Sequence, residues 1–303
     1  SISGQAYSFQ FTVQGGTAPY RWTTTGTVPP GLTLGPASGL LSGTPNRAGN
    51  YSFGVQAEDA RGLVGSATIA LNVALPPLSA LQFTGLTATS TAQNQTDFAV
   101  GIANPFPEPI TGVLRLAFQP DSGADDPAVV FANGSRTLNF TIAAGSTQGT
   151  FTVPKVARQT GTVAGLITIT TELSVNGTPL ANGQPAPQTI RIAPAAPVIT
   201  SFDVTRTSGG FDLSIVGLAT PRQVSQLVVR LTPTSGATFQ TTDFTINVAA
   251  GFAAWYANSA SVPFGSQFKL VLPFTLSDST SLASVSVTLS NSVGSSATVT
   301  KNY

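Results

Sequence analysis

Three groups of side chains in this 303-residue chain have types and spacings that could do chemistry. The first is Asp121, Asp125 and Asp126, within the stretch PDSGADDP. Carboxylates this close together can hold a hard cation such as calcium, or supply one member of the acid pair that hydrolyses a glycoside. The second is the dipeptide Glu58–Asp59, which offers the same oxygen ligands. The third is Trp255–Tyr256, in AAGFAAWYANSASVPFGSQF. Adjacent residues of a strand point to opposite faces, so at least one of these rings would lie near solvent, as a platform for stacking a sugar. Arg206 and Arg222, in the same segment, could stack on or cap it. Each group also has a plainer reading. Asp and Ser in a turn bond their own backbone, and Trp255–Tyr256 can pack beneath a long loop.

Most other chemistry is excluded by composition. There is no histidine, and hence no Ser–His–Asp or Cys–His arrangement. There is no cysteine, which removes disulfides, thiolate metal sites and thiol nucleophiles. No GxSxG or Walker-type loop occurs. Ser266-Gln-Phe-Lys269 matches SxxK, but it enters the alternating run Phe268, Leu270, Leu272. An odd offset on a strand sends the serine and the lysine to opposite faces. Thirteen basic and twelve acidic residues leave a net charge of +1, with no basic run to meet a phosphate backbone, so no nucleic-acid partner is expected. No apolar stretch approaches the roughly 20 residues that span a bilayer, so no membrane insertion is expected in this segment. The chain opens on Ser1-Ile2-Ser3-Gly4 without the pattern of an export leader, which reads as a mature piece or an excised fragment. Only 8% of residues are charged, against about 25% in ordinary soluble proteins, so the surface is largely Ser, Thr, Asn, Gln and Gly. That surface suits a protein secreted to the cell exterior. Five N-x-S/T triplets occur, at Asn50, Asn94, Asn133, Asn139 and Asn176; this Ser/Thr content yields roughly three by chance, so they are not read as glycosylation sites.

The elements that must position these groups are strands. Tyr7, Phe9, Phe11 and Val13 alternate with polar residues, as do Tyr51, Phe53 and Val55, and Leu114, Leu116 and Phe118. The last third repeats the pattern in Phe211, Leu213 and Ile215, in Leu227, Val229 and Leu231, and in Val285, Val287 and Leu289. Such a period of two puts each set on one face of a strand. No window carries a sustained 3.6-residue period. Strands at this spacing, separated by turn residues, predict sandwiches of antiparallel sheets. Two proline-rich joints, ALPPL (74–78) and APAAPVI (193–199), read as short stiff linkers. They divide the chain into 1–77, 78–195 and 196–303, each near the size of one immunoglobulin-like sandwich. NPFPEP (104–109) and LANGQPAP (180–187) read as long loops of the second segment. The first segment lacks a strand before Gly4 and is expected to be truncated there.

The stretch VPPGLTLGPASGLLSGTPNRAGNYSF (28–53) reads as three successive corners of such a sandwich, since no helix follows it to make a phosphate loop. Together with Tyr7-Ser8-Phe9, Pro19-Tyr20, Trp22, Leu32, Leu41-Ser42-Gly43-Thr44-Pro45, Tyr51 and Asp59, it resembles the bacterial putative immunoglobulin module, a cadherin-like repeat, over about residues 4–75. The later segments resemble two further immunoglobulin-like modules of large secreted bacterial proteins. The resemblance implies an all-β array of three tandem immunoglobulin-like or cadherin-like sandwiches, with Trp22 in the first core. Three β segments, stiff joints, a polar uncharged surface and the missing catalytic residue types point to a non-catalytic spacer, stalk or adhesion region of a larger exported bacterial protein, with neighbouring domains and a protein or polysaccharide surface as partners. Cadherins bind calcium between successive repeats, which makes Glu58–Asp59 and the acids at 121–126 the positions to inspect. The joint ALPPL supplies no second acid, and Asp97 and Glu108 are the nearest further on. The alternative function is carbohydrate binding through Trp255 and Tyr256.

Overall fold

A computed structural model describes residues 1–180, 184–276 and 278–303. Residues 181–183 of the predicted loop 180–187 lie outside the described residues. The fold is all-β, with hydrophobic residues gathered into three separate clusters.

The first cluster lies between two three-stranded antiparallel sheets. One sheet has the order Tyr7–Gln10, Leu40–Gly43, Leu32–Leu34; the other runs Arg21–Gly26, Gly49–Glu58, Val64–Val73. Trp22, Leu32, Leu41, Phe53 and Val55 are buried between them. Burying each of the aliphatic and phenyl side chains contributes about 1.5–3 kcal/mol. The 28–53 stretch turns corners as its prolines and glycines require. Leu32–Leu34 pairs with Leu40–Gly43 across a turn closed by Gly39, whose φ is +68°. A Cβ at Gly39 would lie 2.5 Å from the Trp22 ring, so both the backbone angle and the close approach demand glycine there. Alternation overstates the first strand: only Tyr7–Gln10 pairs, and Phe9 is 50% exposed. Residues 1–3 run beside Ala74 through a parallel bridge, with Ser3 N–H donating to the Ala74 carbonyl.

In the middle of the chain a larger sheet has the order Gly149–Phe151, Thr137–Ile142, Ile110–Pro120, Gly165–Val175, Gln188–Ile192, Thr89–Ser90. Its two central strands alternate buried and outward residues along their length, as the period of two predicts. Two short pairs, Leu81–Thr84 with Ala99–Ile102 and Gln95–Asp97 with Ala157–Gln159, add Val100 and Ile102 to the same core, with Phe98 between them.

The last third packs the sheet Val198–Thr207, Gly210–Leu218, Gln267–Thr275 against Asp243–Asn247, Gln226–Pro233, Leu282–Ser290, Val299–Asn302. Between its edge strands lies an α-helix, Ala249–Ala257, followed by a 3-10 turn, Ser259–Phe264. The strand-only reading misses this helix. Its sequence, AAGFAAWYA, is apolar nearly all round, so its nine residues show no amphipathic period.

The segments predicted as short stiff linkers are held in the packing. Leu75 and Leu78 pack against the second core. Ala195 is pinned at both backbone groups, by the Thr220 hydroxyl and by the Asn291 amide.

Candidate functional site

The three acids of PDSGADDP are held apart by different partners. Asp121 makes a two-pronged ion pair with Arg191, at 2.5 and 2.6 Å. Asp125 does the same with Arg136, at 2.6 and 2.9 Å, and accepts the Asp126 N–H. The Asp125 carboxylate in turn pushes the Arg136 pKa further up. Asp126 is 1% exposed. One of its oxygens accepts from the Thr162 N–H at 2.6 Å, the Thr162 hydroxyl at 3.0 Å and the Val163 N–H at 3.1 Å, while the other takes the Ala128 N–H. The turn reading therefore holds for the local bonds, and the longer-range ones give these acids a second role. No group of three potential metal ligands occurs among the described residues.

Asp59 closes its own turn. Its carboxylate accepts the N–H groups of Leu63, Arg61 and Thr17 at 2.8–2.9 Å, and these backbone donors, Leu63 foremost, hold its pKa below the usual carboxylate range. Strand register fixes where this lies. Gly49 pairs with Val73 and Glu58 with Val64, so Glu58 and Asp59 sit roughly 30 Å along the strand from the 74–78 joint. They are at the wrong end of the first sandwich to share a cation across that joint. The acid at the joint is Glu108. It is 1% exposed and accepts from the Ala48 N–H and from the Asn176 side-chain amide, each at 2.6 Å. One carboxylate thus ties a loop of the first sandwich to a hairpin of the second.

The second joint is a denser polar network. The Arg222 guanidinium, in a residue only 8% exposed, donates to the carbonyls of Ser122, Ala124, Asp125 and Gly265, spanning both units. Burial lowers its pKa, and the nearby Asp126 and Asp125 charges oppose that shift. Ser266, fully buried, donates its N–H to the Thr162 hydroxyl at 2.8 Å and its own hydroxyl to the Thr162 carbonyl at 2.6 Å. The serine of the SxxK match is therefore a junction residue, while Lys269 is exposed on the adjoining strand. Ala164 N–H donates to the Thr220 carbonyl and completes the seam.

Trp255 and Tyr256 are neighbours on the helix, not on a strand, and both are half-buried. The Tyr256 hydroxyl donates to the Ser266 carbonyl at 2.6 Å, and burial raises its pKa against the pull of the Arg222 charge. Tyr256 thus props the second joint. Trp255 donates its indole N–H to the Gln267 carbonyl at 3.3 Å and lines a groove of about 360 Å³ with Ile246, Phe252, Phe268, Lys269 and Leu270. Phe264, 52% exposed, lies 6.2 Å from the indole. Arg206 is not part of this group; it stacks on Tyr303 at 4.1 Å and bonds the Leu282 carbonyl.

Two features carry no sequence signal. Thr162 is one threonine among many, and only its contacts mark it. Arg158 is fully buried on a short strand, with none of its side-chain nitrogens bonded to a protein group among the described residues.

No helix among the described residues is long and apolar enough to cross a membrane. No curated protein matches the chain. Among solved structures, it is similar to the tetra-tandem repeat in the extending region of a large adhesion protein, at 18% identity and a TM-score of 0.31, covering 98% of this chain and 68% of that one. It is also similar to the protocadherin gammaB7 EC3-6 cis-dimer structure, at 11% identity and a TM-score of 0.24, with 99% and 67% covered. Against Salmonella alpha-2-macroglobulin the identity is 13% and the TM-score 0.25; 99% of this chain is covered, and it spans 22% of that protein's length. The module read from Tyr7, Trp22 and the 28–53 corners is matched by a family model: residues 1–74, about a quarter of the chain, fit the family described as "Putative Ig domain".

Proposed function

We propose that the chain is a series of three sandwich units, 1–77, 78–195 and 196–303, serving as a spacer or stalk in a larger exported bacterial protein, with no catalysis of its own. The observation that carries this reading is where the two joints fall on the middle unit. Glu108 and Asn176 flank the Ile110 and Val175 ends of the paired strands Ile110–Pro120 and Gly165–Val175. Asp121–Asp126 and Thr162–Ala164 flank the Pro120 and Gly165 ends. An 11-residue strand is roughly 36 Å long, so the first and third units attach at opposite ends of the second. Hydrogen bonds across both joints favour a chain that transmits direction over one that flexes freely. The sparse charge and the lack of histidine and cysteine fit a passive exterior element. Small-angle scattering should give an elongated particle with a narrow range of lengths, and a compact particle overturns the proposal. Calcium has no part in this reading, so melting with excess calcium and with chelator should coincide.

A second reading, carbohydrate binding, is favoured by the half-buried Trp255 indole lining a groove beside Lys269. A glycan array comparing the native chain with Trp255→Ala decides it: binding lost in the variant supports a sugar site, and no binding by either chain removes it.

A further inference from the structure

The first joint contains a bond with a chemical weakness. Asn176 and Gly177 form a two-residue turn between paired Val175 and Thr178, with φ of 50° and 78°, the geometry that selects Asn-Gly. Both residues are exposed, and apart from its chain neighbours no residue comes within 4 Å of where a Gly177 Cβ would stand, so the glycine lies open to solvent. The Asn176 amide is also the donor that satisfies the second oxygen of buried Glu108.

We propose that Asn176–Gly177 is a site of spontaneous covalent modification, conversion of the Asn176 amide to a carboxylate, and that the conversion releases the clip between the first and second units. After loss of its proton to the solvent, the Gly177 nitrogen attacks Asn176 Cγ. The new N–Cγ bond closes a succinimide, the Cγ–Nδ2 bond breaks, and the side-chain nitrogen leaves as ammonia. Water then opens the ring to aspartate or isoaspartate. One water enters, one ammonia departs, and nothing is oxidised or reduced. A donor amide is thereby replaced by a carboxylate facing the Glu108 carboxylate. Two like charges at hydrogen-bonding distance, one of them on buried Glu108, cannot both stay ionised and in place. Relief comes when Glu108 turns away, and the Ala48 N–H loses its acceptor.

Asn133–Gly134 supplies an internal control. Its glycine is equally open, but the Asn133 side chain bonds only within its own turn, to Ser135 and Thr137. Because the chain has no cysteine, single cysteines placed at exposed Ser66 and Thr170 can carry spin labels that report the distance between the first two units. The labelled chain is aged in mildly alkaline buffer, and fragment-ion mapping follows each Asn-Gly pair separately. Asn133 and Asn176 should both convert, with the third pair, Asn182–Gly183, mapped separately, and the distance distribution should broaden in step with Asn176 alone. Asn176→Asp should be broad from the outset, while Asn133→Asp keeps the native width. Complete conversion at Asn133 with Asn176 still an amide overturns the site. A native-width distribution in folded Asn176→Asp, or in chains aged past conversion at Asn176, overturns the consequence.

Discussion

The two joints solve one problem with unequal means. Between the first and second units a single carboxylate, Glu108, bridges Ala48 and Asn176. Between the second and third, Arg222 reaches four carbonyls, Asp126 orients Thr162, Thr162 engages both polar groups of Ser266, and Thr220 and Asn291 grip Ala195. Burying charge is worthwhile only when its partners are present, and here the larger set of partners goes with the larger buried group. The second joint is accordingly part of the cores on either side, whereas the first can open while both its sandwiches stay folded.

Arg222→Met should do the most damage. It keeps the apolar stem and strips the donor from four carbonyls, that of buried Gly265 among them, at a cost of roughly 3 kcal/mol. Denaturant titration should show the second and third units losing stability together, with the first unchanged. Equal loss in all three units would break the contrast. Glu108→Ala should cost about 1–3 kcal/mol, chiefly through the Ala48 N–H left without its acceptor. Its main signature is a wider distance distribution between the first two units, read by the Ser66 and Thr170 labels.

Arg158→Met sharpens the comparison from the opposite side. Burial without a partner lowers the Arg158 pKa and costs stability at no joint. The variant should stabilise the second unit by roughly 1–2 kcal/mol, leaving the distance distribution between the first two units as it was. A loss of stability would mean that the guanidinium is satisfied after all.

Acid should have the smallest effect. Backbone donors from Leu63, Thr17 and Arg61 hold the Asp59 pKa down, and the hydroxyls of Ser281 and Thr280, with the Thr280 N–H, hold Asp278 at about 2. Folded pKa values below the unfolded ones, near 4, give a contribution that is complete above about pH 4. It is lost as the pH falls through the folded values towards 2. Melting of the first and third units should therefore be flat above pH 4 and decline below it, and Asp59→Asn should flatten the decline in the first unit.

Much of the fold was legible because a strand announces its buried face locally. The alternation of Leu114, Leu116 and Phe118 or of Leu227, Val229 and Leu231 names core residues without knowledge of what they meet, and all six are buried. Trp22 was legible too, through the corners that surround it. The helix Ala249–Ala257 was not, since a nine-residue apolar run has no periodic face, and so Trp255 and Tyr256 were assigned to strand geometry they do not have.

What the sequence by itself determined was the all-β class, the corners of residues 28–53, and the absence of histidine and cysteine chemistry. These rest on short-range period, backbone restriction and residue type. Only the tertiary structure decided the fate of the polar groups. Asp126 meets a threonine 36 residues on, Glu108 an amide 68 residues on, and Arg222 carbonyls about 100 residues back. A carboxylate or guanidinium carries no local mark of its partner, because hydrogen bonding is satisfied by whatever group the packed sheets bring within reach. The acids of PDSGADDP could have been ligands, a catalytic pair or a turn; their carboxylates bond within the second sandwich, and it is the backbone of their turn that meets Arg222 of the third.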